Sequence, residues 1–509
     1  MDGFSITRRA FLAGGGTWLG AAPFGRSAEA RSGKTISIFH TTDLHGHILP
    51  TRTYDGVENL GGFARCASCI RKWRLEAPDS LLVDIGDVYQ GTAESLNNGG
   101  TLMIGLFNLL GYDAWTLGNH DFDWGPEALE KNLSLSKSPI LTGNIRVDGK
   151  APGSLDGAWK QVMPWTMKEV GGFRIALIGL ITPGLPFWLA QETLGGVVVE
   201  HPLDALKRSV AEARSAKADA VVVMGHMGWR REDDFANPLR EILKQVPGVD
   251  ILLAGHTHQD KPAWETGKVL CTQAGYYGIH CGRVDLTFDP DSRKLVGRKG
   301  ITTLMDASLD LDPIVMERAD PEIRKSREQL SRKVATATRT ISGKPPKNEL
   351  VTLFCELFAE ALKRNQTPVD GVFHGTFGTG DIPPGDITVA DCWKMLPYEN
   401  LLMTAELSAE EIIEVMKEER SNYRSDRILW GFTLKLDREK NVTVFEHQGK
   451  PVAPGSRFTI AFNSYDAQSG GKSMMRLREI THQASARRRV STIDTRSALI
   501  NGLLDRGTL

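Results

Sequence analysis

Cysteine is scarce in this chain: six residues, at positions 66, 69, 271, 281, 355 and 392, among 509. That density excludes a fold held by a disulfide framework. Cys66 and Cys69 form a C-x-x-C, but in "GGFARCASCIRKW" they fall at helical i, i+3 spacing with no second pair nearby. That spacing points to one helix face rather than a zinc knuckle or redox motif. Cys271 and Cys281 flank an expected strand-turn-strand, and spacing leaves open whether they pair. An excess of one charge is also missing. Lys and Arg total 61 against 62 for Asp and Glu, which excludes a nucleic-acid-binding surplus and points to a small-molecule partner. Beyond the first 30 residues no apolar run approaches the ~18 residues of a spanning helix, so stable membrane insertion is not expected. Repeats and low-complexity tracts are absent as well. The remainder, 41% hydrophobic and 24% charged, has the composition of a globular chain long enough for two domains.

Residues 1–30 stand apart. Arg8 and Arg9 lie in Thr7-Arg8-Arg9-Ala10-Phe11-Leu12, a weakly apolar stretch runs from Phe11 to Phe24, and Ala28-Glu29-Ala30 is a small-residue cleavage site. The segment resembles the twin-arginine export signal of bacteria. The resemblance implies a precursor that engages the twin-arginine export machinery, and a mature protein in the periplasm or outside the cell.

From 34 to 305, short β runs alternate with amphipathic stretches. "ISIFHTTD", "SLLVDIGD", "AWTLGNHD", "RIALIGLIT", "AVVVMGHM" and "ILLAGHTH" each read as a strand leading into a polar loop. "GGFARCASCIRKWRLEA" and "PLDALKRSVAEARSAK" between them carry helical periodicity. An α/β layered domain follows, of the kind that collects functional groups where strands end. Residues 312–340 are charged and helix-prone without a wide apolar stripe, and are expected to form a linking helix. A second α/β region spans 345–505.

The strand-end loops of the first domain carry Asp43 and His45 in "TTDLHGH", Asp87 in "DIGDVYQG", and Asn119 and His120 in "LGNHDFD". His226 follows in "VMGHMG", then His256 and His258 in "LAGHTHQ". Carboxylate oxygen, amide oxygen and imidazole nitrogen suit hard and borderline divalent metals. Asp43, His45, Asp87, Asn119, His226, His256 and His258 are too many donors for one tetrahedral site, and suit two ions sharing a carboxylate. His40 and His47 are read as structural, and Asp121 as a cap or a solvent-facing group. Mixed ligation of this kind admits Zn, Mn, Fe, Co or Ni.

With these motifs the chain resembles the binuclear, calcineurin-like metallophosphoesterases, and among them the two-domain 5'-nucleotidase group. The likeness runs from about Ile36 through Asn501 and is sharpest over "TTDLHGH", "DIGDVYQGT", "TLGNHDFDWG" and "AGHTHQ". It implies a four-layer αββα catalytic domain joined by a helix to a 5'-nucleotidase-type substrate domain. It also implies that Asp43, His45, Asp87 and His258 hold one metal, and Asp87, Asn119, His226 and His256 the other. His120 would stabilise or protonate the leaving group, and Asp123 would orient its ring. The implied activity is release of phosphate from nucleotides or related phosphoesters by a hydroxide that the metals activate. A sulfur-ester hydrolase of the thiosulfate pathway and a ligand-binding scaffold without turnover are the alternatives.

In the second domain, "GDIPPGDITVADCWKMLPYENLL" resembles the family's stretch ending in a Pro-aromatic-x-Asn turn, and "AFNSYDAQSGG" its Asn-x-Phe segment before a glycine pair. Tyr465 takes the place of an aromatic that stacks on the base, with Tyr423 and Trp430 as candidates for the facing ring. Two departures stand out. Thr379 replaces the arginine expected before "DIP", and "GGKSMM" replaces Gly-Gly-Asp-Gly-aromatic.

Overall fold

Strand Lys34–Thr41 sets the layering of the first domain. Its side chains alternate, so Ile36 and Ile38 point into one apolar cluster and Phe39 into another. In this computed structural model, which describes residues 33–344, 347–376, 378–422 and 425–509, that strand lies inside a seven-stranded sheet. The order is Leu295–Leu304, His280–Phe288, Lys34–Thr41, Ser80–Asp84, Ala114–Thr116, Ile140–Leu141 and Val162–Met163. A second sheet runs Asp260–Thr266, Val269–Ala274, Ile251–Ala254, Ala220–His226, Phe173–Ile181 and Trp165–Val170. Between the sheets Ile36, Ile38 and Val83 meet Ile175, Leu177, Val222 and Leu253. On the outer faces, helices Phe63–Glu76 and Thr101–Leu110 cover the first sheet, while Pro202–Ser215 and Leu239–Gln245 cover the second. These are the four layers of an αββα sandwich. The expected export signal at 1–30 and the candidate ring Tyr423 lie outside the described residues.

The second domain holds a five-stranded mixed sheet in the order Ile428–Trp430, Gly371–His374, Arg457–Asn463, Leu401–Ser408 and Arg489–Asp494. Helices Glu349–Arg364 and Thr495–Arg506 pack on one face. Ala409–Ser421 and Met475–Thr481 pack on the other.

Two expectations need correction. The segment expected to be helical across 312–340 is a helix only over Pro313–Ser331, started by the Asp312 carboxylate, which accepts from the backbone N–H groups of Ile314 and Val315. Lys333–Ala337 is a strand paired with Gly385–Thr388. The helix's stripe is narrow, as expected, yet it packs into a core: Val315, Ala319 and Ile323 are buried in that of the first domain. Three small or branched side chains at 4-residue spacing suffice against a ready-made apolar surface. The expected strand-turn-strand around Cys271 and Cys281 is instead a crossing between sheets, since Val269–Ala274 belongs to the second and His280–Phe288 to the first. All six cysteines are buried thiols.

Candidate metal centre

The strands that carry the polar loops run parallel: Lys34–Thr41 beside Ser80–Asp84, which neighbours Ala114–Thr116, and Ala220–His226 beside Ile251–Ala254. Their C-terminal ends therefore meet along one edge of the sandwich. The chain leaves each strand in a sharp bend. Asp43, His45, Asp87, His256 and His258 all have left-handed backbones, with φ of 50, 48, 56, 70 and 55°. Such a conformation costs of order 1–3 kcal/mol at a non-glycine residue and tends to gather where function demands it.

The bends bring the side chains together. One atom each from Asp43, His45, Asp87 and His258 fall within 4.8 Å of one another, and Asp87, His226 and His256 form a second such group. Asp87 belongs to both. His45 Nε2 is 3.2 Å from His258 Nε2, which is 3.3 Å from Asp43 Oδ1. His226 Nε2 lies 3.1 Å from Asp87 Oδ2. The distal nitrogens are tied down: His45 Nδ1 to the Gln90 carbonyl at 2.9 Å and His226 Nδ1 to the Ile85 carbonyl at 2.7 Å. That leaves the Nε2 atoms turned inward as donors.

Three buried atoms here, Asp87 Oδ2, Asn119 Oδ1 and His226 Nε2, make no well-aligned hydrogen bond among the described residues, although Asp87 Oδ2 and His226 Nε2 face each other as a close charge pair. Unpaired buried polar atoms are costly unless a ligand completes them. An oxygen from a carboxylate, an oxygen from an amide and an imidazole nitrogen are what a borderline divalent cation takes, so the residues present fit two such ions. Burial lowers the His45 and His256 imidazoles to about 3, which keeps their lone pairs available. Burial also opposes charge on His226, yet Asp87 beside it raises it to about 9. A cation entering there competes with that proton.

Beside these groups, the short 3-10 turn Asn119–Phe122 presents His120. Its Nδ1 is 2.7 Å from Asp123 Oδ2, and its backbone N–H donates to Asp87 Oδ1 at 2.7 Å. Burial works against a charge on this ring, but Asp123 and Asp87 prevail and raise it to about 10. Asp121 caps the turn and does not face water. Its carboxylate accepts from the N–H groups of Gly118, Asp87 and Val88 at 2.8, 3.1 and 2.8 Å, so it splices the 117–123 loop to the 85–88 loop. His47 stacks on Tyr277 with centroids 3.8 Å apart and His40 is fully buried, and neither belongs to the donor groups.

A cavity of about 310 Å³ opens next to His120, where the two domains meet. Asn119, His120, Asp123, Trp188 and His256 line it from the first domain, and Tyr398, Glu399, Ser464 and Tyr465 from the second. The Tyr398 ring stacks on His120, with centroids 5.6 Å apart. Glu399 accepts from Gln90 and Trp124 of the first domain at 3.2 and 3.3 Å and pairs with Arg496 at 2.5 Å. Trp430 does not line the cavity; it packs against the core of the second domain. Thr379 is also outside it, its hydroxyl donating to the Met395 carbonyl at 3.1 Å. Sequence reasoning missed Trp188, Tyr398 and Glu399. The last two stand in "PYEN", the turn already singled out, so a signal was present; for Trp188 there was none.

The calcineurin-like phosphoesterase family model matches residues 36–260, and the model of the 5'-nucleotidase C-terminal domain matches 333–478. The chain joins a calcineurin-like phosphoesterase domain to a 5'-nucleotidase C-terminal domain. The rat (Rattus norvegicus) 5'-nucleotidase is 28% identical over 305 residues, covering 55% of this chain and 51% of its own. The chain thus spans about half the length of the curated relatives it matches first. Among solved structures, a 5'-nucleotidase precursor from Thermus thermophilus superposes with a TM-score of 0.69 at 22% identity, covering 94% of this chain and 97% of its own. The sulfate thiohydrolase SoxB of the same species superposes with a TM-score of 0.61 at 19% identity, over 93% and 94% of the two chains. At those identities both likenesses concern the fold alone.

Proposed function

We propose that this protein is an exported, two-metal phosphohydrolase that releases phosphate from nucleotides or closely related phosphoesters. The observation that carries the reading is the pair of donor groups sharing Asp87, with the His120 backbone N–H donating to that same carboxylate and the His120 ring held by Asp123. Asp43, His45, Asp87 and His258 would hold one divalent cation, and Asp87, Asn119, His226 and His256 the other. Two cations, Zn, Mn or similar, would supply polarisation of the phosphoryl group and a water acidic enough to attack it.

The rest follows from the chain's own residues. His120 donates a proton from Nε2 to the ester oxygen as the P–O bond breaks, which spares that oxygen a full negative charge. Asp123 fixes the tautomer by accepting from Nδ1, and keeps the ring protonated until it acts. The backbone link from His120 to Asp87 Oδ1 holds the proton donor in register with the shared carboxylate. The cavity beside His120, walled by Tyr398, Trp188 and Tyr465, takes the organic part of the ester, with Tyr465 against a base. Export rests on Arg8-Arg9 and the cleavage-like Ala28-Glu29-Ala30. Among the described residues no helix is long and apolar enough to cross a membrane. The phosphoester reading leads the sulfur-ester one because relatives at 24–29% identity include a 5'-nucleotidase, a nucleotide phosphoesterase and a cyclic-nucleotide phosphodiesterase/3'-nucleotidase.

The test is phosphate release from AMP, UMP, ATP, UDP-glucose, a cyclic nucleotide and p-nitrophenyl phosphate with Mn²⁺ or Zn²⁺, in wild type and His120→Asn. Nucleoside monophosphates are expected to lead, and His120→Asn to lose about 10²–10⁴-fold in turnover while retaining its metal. No phosphate from any ester with either metal would sink the proposal. Turnover unchanged in His120→Asn would remove that residue from the mechanism.

A further inference from the structure

The distal nitrogens of the inward-facing histidines are not all held alike. His45 and His226 are each anchored to a backbone carbonyl, of Gln90 and Ile85, which belong to the loops that carry the site. His258 is anchored by a side chain from elsewhere: its Nδ1 lies 2.6 Å from the phenol oxygen of Tyr54, 204 positions away in the chain. With Nε2 turned toward Asp43 and His45 as the lone-pair atom, Nδ1 carries the hydrogen and donates it to Tyr54 Oη. Tyr54 then donates its own hydrogen to Tyr277 Oη at 3.2 Å. All three positions of that relay are thereby consistent.

Tyr54 is itself placed with care. Its ring stacks on Tyr276 with centroids 4.3 Å apart and planes 11° from parallel, and its backbone N–H donates to Tyr276 Oη at 3.0 Å. The segment that carries it is closed by paired backbone hydrogen bonds between Thr51 and Leu60, at 2.7 and 3.1 Å. Yet the side chain is 65% exposed, so it contributes little to any core. What it does contribute is the hydroxyl. Rotation of an imidazole about its second side-chain torsion is broad and roughly two-fold, and an anchored Nδ1 removes that freedom.

We propose that Tyr54 is a positioning residue of the metal centre: its hydroxyl holds His258 with Nε2 aimed at Asp43 and His45, and so sets how tightly that group of donors binds its cation. The inference rests on the two-metal reading above. It assigns a function to a loop that holds none of the donors, and it makes affinity at one of the two positions adjustable from the surface.

Tyr54→Phe tests it, because the stacking ring stays and only the hydroxyl goes. Full-length wild type and variant are stripped of metal and titrated with Co²⁺, followed by calorimetry and by the visible absorption of the bound cobalt. Wild type is expected to take two ions. In the variant one dissociation constant rises about 10–100-fold, as for other partners of metal-bound histidines. The other constant is unchanged, and the absorption of the weakened ion shifts. The melting temperature of the metal-free variant matches wild type, which separates positioning from a fold defect. Two wild-type affinities and an unaltered spectrum in Tyr54→Phe would overturn the inference and leave the two-metal reading in place. A wild-type protein that binds no Co²⁺ would overturn that reading and this one together.

Discussion

Gly118→Ala should disable both metal positions through a single methyl group. Gly118 has an extended backbone with φ −102°, which any residue adopts, so the demand for glycine is spatial. A Cβ built there would stand 2.2 Å from Asp87 Oδ1 and 2.3 Å from the Asp87 backbone nitrogen, where real Cβ atoms essentially never come within 3.0 Å. The carboxylate cannot simply turn aside, because the Asp87 nitrogen is itself held by Asp121 at 3.1 Å and Oδ1 by the His120 N–H at 2.7 Å. Forcing the two loops apart costs about 1–3 kcal/mol of stability, as for other overpacked sites. A displacement approaching 1 Å of a group at the reaction centre is worth on the order of 10²-fold in turnover. Because Asp87 belongs to both donor groups, both ions should weaken together. The assay is metal content after equilibrium dialysis, alongside phosphate release and thermal unfolding of the metal-free protein. Gly105→Ala is the control: it lies inside helix Thr101–Leu110, its added Cβ meets nothing within 4 Å, and about 0.5–1 kcal/mol of stabilisation is expected. A Gly118→Ala protein that loads two ions at wild-type affinity would refute the reasoning.

Three further outcomes follow from the same geometry. In the metal-stripped protein His120 sits at about 10, above the ordinary 6.5, so its pairing stabilises fully below the unfolded value and is lost as pH rises through the folded one. Asp123→Asn should therefore be less stable than wild type near neutrality, with the gap closing as pH approaches 10; a gap independent of pH would count against it. Chelation should lower the melting temperature, and Zn²⁺ or Mn²⁺ should restore it, since each ion bound at 100 times its dissociation constant adds about 2.7 kcal/mol. A midpoint indifferent to chelator would be the contrary result. Tyr465→Ala should raise KM for a nucleoside monophosphate about 3–10-fold, the equivalent of 0.5–1.5 kcal/mol of stacking, with kcat little changed. An equal effect on p-nitrophenyl phosphate would argue against base stacking.

By itself the sequence determined the α/β class, the two-domain division and the loops on which the polar residues crowd. The reason is local: a buried parallel strand is a short β-branched run, and each run from "ISIFHTTD" to "ILLAGHTH" ends in its own polar loop. What no local pattern carries is which distant groups touch. Helix Pro313–Ser331 looked solvated because its stripe is only Val315, Ala319 and Ile323, and the apolar surface that receives it comes from helices hundreds of residues earlier in the chain. Asp121 read as a capping or solvent-facing residue, and only the approach of the 85–88 loop made it the splice between two bends. Tyr54 sits in an ordinary polar stretch, and Trp188 in a short turn; their partners, His258 and the facing domain, are set by long-range packing. Residue types and spacing decided which donors the chain has. The family resemblance already implied Asp87 for both groups; that the groups meet around it depends on where two sheets and five loops end in space, which only the tertiary structure decided.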